Sequence, residues 1–380
     1  MNVMFIAAMP LEMNSSVSQR NISTINGLCK RKHNVTVYTS YLSKSHPLYT
    51  DVNLERTAKV IRINAGKGKE LSAKAGRNKF LKKIKLWVYK LWNNWMIYDS
   101  WKAIINSRIW DEIDKSAYDV LISSSDPKSS HLIAEKVFDQ TGVRWIQIWG
   151  DPFTGDITSS GKNENKKKTE EERFFSKAEK VMFLSELTCS EMKVKYPDYK
   201  LKFFFMPRPY LEKKIFGDRT EKEKLVLSYC GDYNSMVRNI MPLYTAVTKT
   251  GDELTICGDS DLELIEESNI KVFPRVLQEK VEELENSSDV LIHLSNIKGS
   301  QVPGKIYNYS ATDKPILFIL DGETEKLRES FFKYDRYVFC NNTVEDIMAK
   351  LNMVRKNQCN VELKPVEDFF VDNVIFSLLS

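Results

Sequence analysis

The chain has little of what a metal or disulfide protein needs. It holds four histidines (His33, His46, His131 and His293), and their spacing builds no ordinary zinc site. Its six cysteines are scattered, with no C-x-x-C pair. Cys230 and Cys257 end apolar runs, so buried reduced thiols and a cytosolic, reducing compartment are the simplest expectation. No later window has 18 uninterrupted apolar residues, so no membrane crossing is expected. Residues 1–10 are apolar but too short for a span, and they lack the basic start of a secretion signal. The stretch after the first strand, MPLEMNSSVSQRN, has no G-x-G-x-x-G, which argues against dinucleotide binding there. No helix-turn-helix, RNA-binding signature or zinc finger supports a nucleic-acid partner.

What is present is an alternation of strand and helix. At 380 residues and 42% apolar content the chain is long enough for two domains with cores of their own. Residues 3–8 read as a buried strand, 15–32 as a helix that Ser15, Ser16 or Ser18 would cap, and 35–38 as the next strand. Further strands are expected at 59–63, 119–125, 144–149, 181–184 and 201–206. A Pro-Arg-Pro and a charged run make 207–224 a linker. The pattern restarts with strands at 225–230, 254–257, 272–273, 289–294 and 315–320, and ends in helices at 344–355 and 366–379. Such alternation implies parallel sheets.

Residues 289–320 carry the densest signal. A strand leads through a polar loop to Pro303, which fits the first position of a helix expected to reach Thr312. Gly304 and Lys305 would then lie on the first turn, where free N–H groups and a lysine favour an anion. Lys305, Asn308, Tyr309 and Thr312 share one face at spacings of three and four. An ordinary crossover helix with one exposed lysine fits the same residues. Gly231 and Gly258 stand at strand ends, and with Arg238 and Lys305 they suggest a phosphate-lined cleft. Asp126, His131, Asp151 and Asp156 follow strands of the first half and are candidates for one site. Each has a structural alternative: Asp126 as a helix cap, His131 as a satisfied helix-face histidine, the later acids as turn formers. Residues 161–173 read as a charged loop or exposed helix start.

The oddest composition runs from Lys67 to Trp110. Residues 67–90 hold nine Lys or Arg against one acid, Glu70, and residues 87–110 hold five of the seven tryptophans. Apolar residues recur there at helical spacing. A basic helix with Trp at its margin suits an anionic membrane surface; a core helix with a solvated basic face is the alternative.

Taken together, these residues resemble the GT-B glycosyltransferases, most closely the large retaining family numbered four. In the second half the resemblance rests on Gly231 with Arg238-Asn239-Ile240, on Ile256-Cys257-Gly258, on Phe273-Pro274-Arg275, and on Val302 to Tyr309 with Lys314-Pro315-Ile316. In the first half it rests on Tyr118-Asp119-Val120, Asp126-Pro127 with His131, and Gly150-Asp151-Pro152. It implies a GT-B fold, two Rossmann-like doubly wound domains facing a cleft, at 1–206 and 225–365, with the tail from 366 returning to the first domain. It also implies a nucleotide-sugar donor, with UDP expected, on the second domain and a saccharide or lipid-linked acceptor on the first. Arg238 and Lys305 match the basic pair that holds the diphosphate, so no metal or other cofactor is expected. Asp259-Ser260-Asp261 is read as turn chemistry rather than a metal motif. Arg275 falls where such enzymes hold the base. The chain departs from the family at its paired glutamates. Asn308 occupies the position of the second, and Ser300, eight residues earlier, that of the first. A non-catalytic partner protein of the same fold is the rival expectation, and a nucleotide-sugar epimerase a more remote one.

Overall fold

The computed structural model describes residues 1–63, 117–155, 163–217 and 220–380. The basic, tryptophan-rich segment 67–110 and Asp156 lie outside the described residues. Residues 1–184 and 188–206 form one compact unit, and residues 207–378 with 185–187 form another.

The first unit is built on β1 (Asn2–Ala7), α1 (Ser16–Lys30), β2 (Asn34–Ser40), β3 (Lys59–Ile63), β4 (Val120–Ser124), α2 (Ser129–Thr141), β5 (Arg144–Trp149), α3 (Glu164–Lys177), β6 (Lys180–Phe183), α4 (Glu186–Lys195) and β7 (Phe203–Phe205). Its seven strands run parallel in the order β3-β2-β1-β4-β5-β6-β7. Strands covered on both faces carry continuous apolar runs, and β1 and β4 are buried almost throughout. Ser15 caps α1, its side chain accepting from the Ser18 amide at 3.2 Å. The apolar side chains of β5 and α3 meet in an aromatic core. In it the Phe175 ring packs edge-on against Phe203 at 4.9 Å and tilts against Trp149 at 5.3 Å.

The second unit contains β8 (Val226–Cys230), α5 (Met241–Thr250), β9 (Glu253–Cys257), β10 (Ile270–Phe273), α6 (Gln278–Ser287), β11 (Val290–Leu294), α7 (Lys305–Tyr309), β12 (Ile316–Leu320), α8 (Thr324–Phe332), β13 (Tyr337–Asn341), α9 (Val344–Arg355) and α10 (Val371–Leu379). Its six strands are also parallel, in the order β10-β9-β8-β11-β12-β13. In each sheet the chain reverses its direction of winding beside the first strand, between β1 and β4 and between β8 and β11. Ligands of open α/β sheets meet the carboxyl ends of strands at such switch points.

Four local expectations change. Asp126 does not cap a helix: α2 starts at Ser129, no side chain caps it, and Asp126 pairs with Lys128. The charged run at 161–173 belongs in its described part to α3, whose Phe174, Phe175 and Glu171 are buried. The helix expected from Pro303 to Thr312 is regular only from Lys305 to Tyr309. So short a helix has little macrodipole, and side chains must carry most of any anion attraction there. The terminal helix starts at Val371 rather than 366, after a short 3-10 turn at Glu367–Phe369.

Candidate functional site

In the second unit, the carboxyl ends of β8, β9 and β11 bring several expected residues together. Gly231 follows β8 and donates its amide to the Cys257 carbonyl at 2.8 Å. Gly258 follows β9, and a Cβ built there would lie 2.1 Å from the Gly231 carbonyl oxygen. The two turns touch through bare backbone, which is why neither a side chain nor a bulkier turn fits.

Arg238 is half-buried and held from three sides. Its Nε donates to Asn296 Oδ1 at 3.0 Å, and its Nη1 donates to the Asp232 carbonyl at 2.5 Å. The Tyr229 hydroxyl also meets the guanidinium. Asn296 follows β11, so this bond spans the switch point between β8 and β11. A backbone bond from Ile297 N to Val237 O, 2.8 Å, runs beside it.

Lys305, on the first turn of α7, is paired with Glu285 on α6, and its ammonium lies 5.8 Å from the centre of the Tyr309 ring. The C-terminal turn of α6 is fixed in turn by Lys314. That buried lysine donates to the carbonyls of Glu285, Asn286 and Ser288, which are the orphan acceptors of a helix end. Arg208 lies against Gly304, with Nη1 3.7 Å from where a Cβ on that glycine would stand. Arg208 is buried, so the residue read as part of a linker is packed beside the Gly304-Lys305 turn. Asn308 is half-buried on α7, while Tyr309 and Thr312 are buried. The face expected to be shared and open is therefore partly core.

Arg275 is engaged rather than open. It donates to Asp232 Oδ2 and, through Nε, to Asp259 Oδ2 at 2.9 Å. Asp261 accepts from the Ser235 amide and hydroxyl, which hold its carboxyl below the usual aspartate range. Both acids of Asp259-Ser260-Asp261 thus tie loops together. Among the described residues no group of three or more His, Cys, Asp or Glu is arranged to hold a metal ion.

In the first unit the structure gathers Asp126 and Asp151 around a residue the sequence did not single out, Arg20 on α1. Arg20 is buried, and its Nη2 donates to Ser124 Oγ at 3.1 Å. Burial lowers its pKa to about 10, while Asp126 and Asp151 hold it up, so the guanidinium stays charged near neutrality. A Cβ on Gly150 would meet Arg20 Nη1 and Asp126 Oδ2, each at 2.9 Å. Glycine at 150 lets both groups approach the end of β5.

His131 lies elsewhere, inside the core. It has no exposed surface, its Nδ1 is 2.8 Å from Ser123 Oγ, and its ring stacks on Trp149 at 4.4 Å. Burial, then the charges of Lys128 and Arg20, push its pKa well below the ordinary histidine value.

The Gly150–Gly155 loop that carries Asp151 is tied down by Glu171 of α3. This fully buried carboxyl accepts from the amides of Phe153 (2.5 Å) and Thr154 (3.0 Å) and from the Thr154 hydroxyl (2.6 Å), and it also bonds the Tyr196 hydroxyl.

No protein-family model matches the chain, and no curated protein matches it in sequence. Solved structures do. HepE of Anabaena, determined with UDP and glucose, is 9% identical with a TM-score of 0.60, over 100% of this chain and 98% of that one. Sucrose-phosphate synthase of Thermosynechococcus elongatus is 10% identical with a TM-score of 0.62, over 99% and 94%. The UDP-GlcNAc 2-epimerase of Methanocaldococcus jannaschii is 8% identical with a TM-score of 0.55, over 100% and 99%. A synthase and an epimerase share this architecture, so the likeness fixes the fold and leaves the chemistry to the site. With two doubly wound parallel sheets matched over the whole chain, the protein has the GT-B fold of the glycosyltransferases.

Proposed function

We propose that the protein is a metal-independent glycosyltransferase that moves a sugar from a nucleotide donor, a UDP-sugar first among them, to a saccharide or lipid-linked saccharide acceptor. The observation that carries this reading is Arg238, fixed across the switch point of the second sheet. Breaking a sugar–phosphate bond puts growing charge on the leaving diphosphate, and a preset cation stabilises that charge without reorganising. Lys305, on the same edge of the sheet, supplies the second cation. HepE has been solved with UDP-glucose on this fold, which supports the donor class. Asn308 takes a ribose hydroxyl in place of the glutamate of the resembling family, using either end of its amide. Arg275 supports the base-binding turn through Asp232 and Asp259.

In the retaining course proposed here, the leaving phosphate accepts the acceptor proton on the same face of the sugar. An inverting product would assign that proton to Asp126 or Asp151. His131 receives no chemical role, because it is enclosed by the core. A lipid-linked acceptor gives the basic segment 67–110 its purpose. It would hold the enzyme on the cytoplasmic side of an anionic membrane, where each Lys or Arg near the surface is worth about 1 kcal/mol.

Thermal-shift screening of nucleotide sugars tests the donor, since a ligand that binds the folded state raises its melting temperature. Hydrolysis or transfer from the donor that scores must follow. Donor binding without either reaction would favour the rival reading, a non-catalytic protein of this fold, for which Ser300 and Asn308 in place of the two glutamates speak. Replacing Lys79, Lys82, Lys83 and Lys85 by Glu tests the membrane role. Sedimentation with anionic vesicles equal to wild type would remove it.

A further inference from the structure

We infer that Asn296 is the positioning residue for Arg238, a role that rests on the reading of Arg238 as the diphosphate-holding cation. Asn296 is the second residue beyond β11, and its side chain is used at both ends. Oδ1 accepts from Arg238 Nε at 3.0 Å, and Nδ2 donates to the Gln301 carbonyl at 3.0 Å. The first bond reaches back across the switch point to the loop after β8. The second reaches forward to the loop that leads into Gly304 and Lys305. One amide therefore fixes both the fork of Arg238 and the approach to Lys305.

The neighbourhood keeps that amide in place. Asn296 is 5% exposed, so both ends of its side chain must find partners within the protein. Its backbone is pinned by the adjacent Ile297–Val237 bond. Gly322, at the end of β12, packs directly beneath: a Cβ there would lie 2.7 Å from the carbonyl oxygens of Asn296 and Ile297. Arg238 needs such a partner. A guanidinium offers five N–H donors in one plane, and anchoring Nε and Nη1 on protein acceptors fixes that plane and the direction of Nη2. Without Asn296, Nε loses its acceptor and the long side chain recovers rotamers it must give up to bind.

Two variants of the full-length chain test this. Asn296→Ala removes both bonds. Asn296→Asp keeps an acceptor for Arg238 Nε but loses the donor to Gln301 and adds a charge. UDP affinity is measured by calorimetry, and hydrogen exchange of the Arg238 Nε–H by NMR, with Arg238→Ala as reference. Asn296→Ala should weaken UDP binding about tenfold, the scale of a hydrogen bond to a charged group. It should also speed Nε–H exchange, while Asn296→Asp keeps the slow exchange. UDP binding within twofold of wild type in Asn296→Ala, with exchange unchanged, overturns the inference and leaves the diphosphate reading standing. UDP binding that Arg238→Ala leaves intact, or no UDP binding by wild type, removes that reading and this role with it. Should Asn296→Ala fail to fold, Asn296→Asp decides: fast Nε–H exchange in that variant overturns the inference, because its acceptor is retained.

Discussion

The ammonium of Lys305 is held by Glu285, which reaches it from the last turn of α6. The pair is mostly enclosed, with Lys305 23% and Glu285 15% exposed, so the ammonium is held in a preset position beside a carboxylate. Arg238, by contrast, is held by neutral acceptors, Asn296 Oδ1 and the Asp232 carbonyl.

Loss of either cation should therefore cost transition-state stabilisation. Arg238→Ala or Lys305→Ala is expected to lower kcat/KM by about 2–4 kcal/mol, on the scale of one oriented donor. Steady-state kinetics on the donor found by screening measures this. Activity within about twofold of wild type in both variants would remove the diphosphate assignment.

The contact between the two glycine turns makes Gly258→Ala severe. The added methyl meets the Gly231 carbonyl at 2.1 Å, and backbone cannot rotate away as a side chain can. We expect about 2–4 kcal/mol of destabilisation, together with weaker UDP binding, because the Gly231 turn must shift. A denaturant melt and a UDP titration that both match wild type would show that the turns do not touch in solution.

Glu171 is expected to matter for stability without touching any substrate. Glu171→Ala leaves two buried amides and two hydroxyls short of an acceptor, at a cost of about 3–5 kcal/mol. Chemical denaturation reads this directly. Limited proteolysis should also find new cleavage near residues 150–155 in the variant.

Acid should destabilise both units through their buried histidines. His131 lies well below its ordinary pKa, and His293 is lowered to about 3, chiefly by burial and then by Arg238. In the unfolded chain each histidine takes up a proton below about pH 6.5, whereas in the folded chain it stays neutral. Their contribution is thus complete above about pH 6.5 and is lost as pH falls from there toward the folded values. For His293 the loss is about 2 kcal/mol by about pH 5, and for His131 it has the same sign. Denaturant melts at the two ends of that range measure it, and His293→Leu should flatten the slope for the second unit.

Much of this architecture was legible in the residues. Short runs rich in Val, Ile and Trp marked 59–63 and 144–149 as strands, and β3 and β5 occupy those bounds. The strand Tyr337–Asn341 and the helix Thr324–Phe332 were not anticipated. The helix has its apolar residues interrupted by Lys326 and Arg328, whereas Tyr337 to Cys340 is a short unbroken apolar run that pairs with β12. Gly231, Arg238, Gly258 and Lys305 were visible because each follows a strand or opens a helix. Arg20, Asn296, Glu171 and Arg208 were not, because their roles depend on partners distant in the chain. Arg20 meets Ser124, and Asn296 meets Arg238. A polar residue just after a strand at the reversal point was the one local hint of Asn296.

The parallel winding of both sheets has a kinetic consequence. Every pair among the described strands is parallel, so none of them is a hairpin. The pairs that create the switch points, Val3 with Val120 and Val290 with Leu227, join segments far apart in sequence. Loop closure must be completed before such contacts give anything back, which makes folding slow. The edges where Arg20 meets Ser124 and Arg238 meets Asn296 come into being only when those pairs close. Each unit thus acquires its switch-point edge late in folding, and a half-folded chain presents neighbouring strands without it.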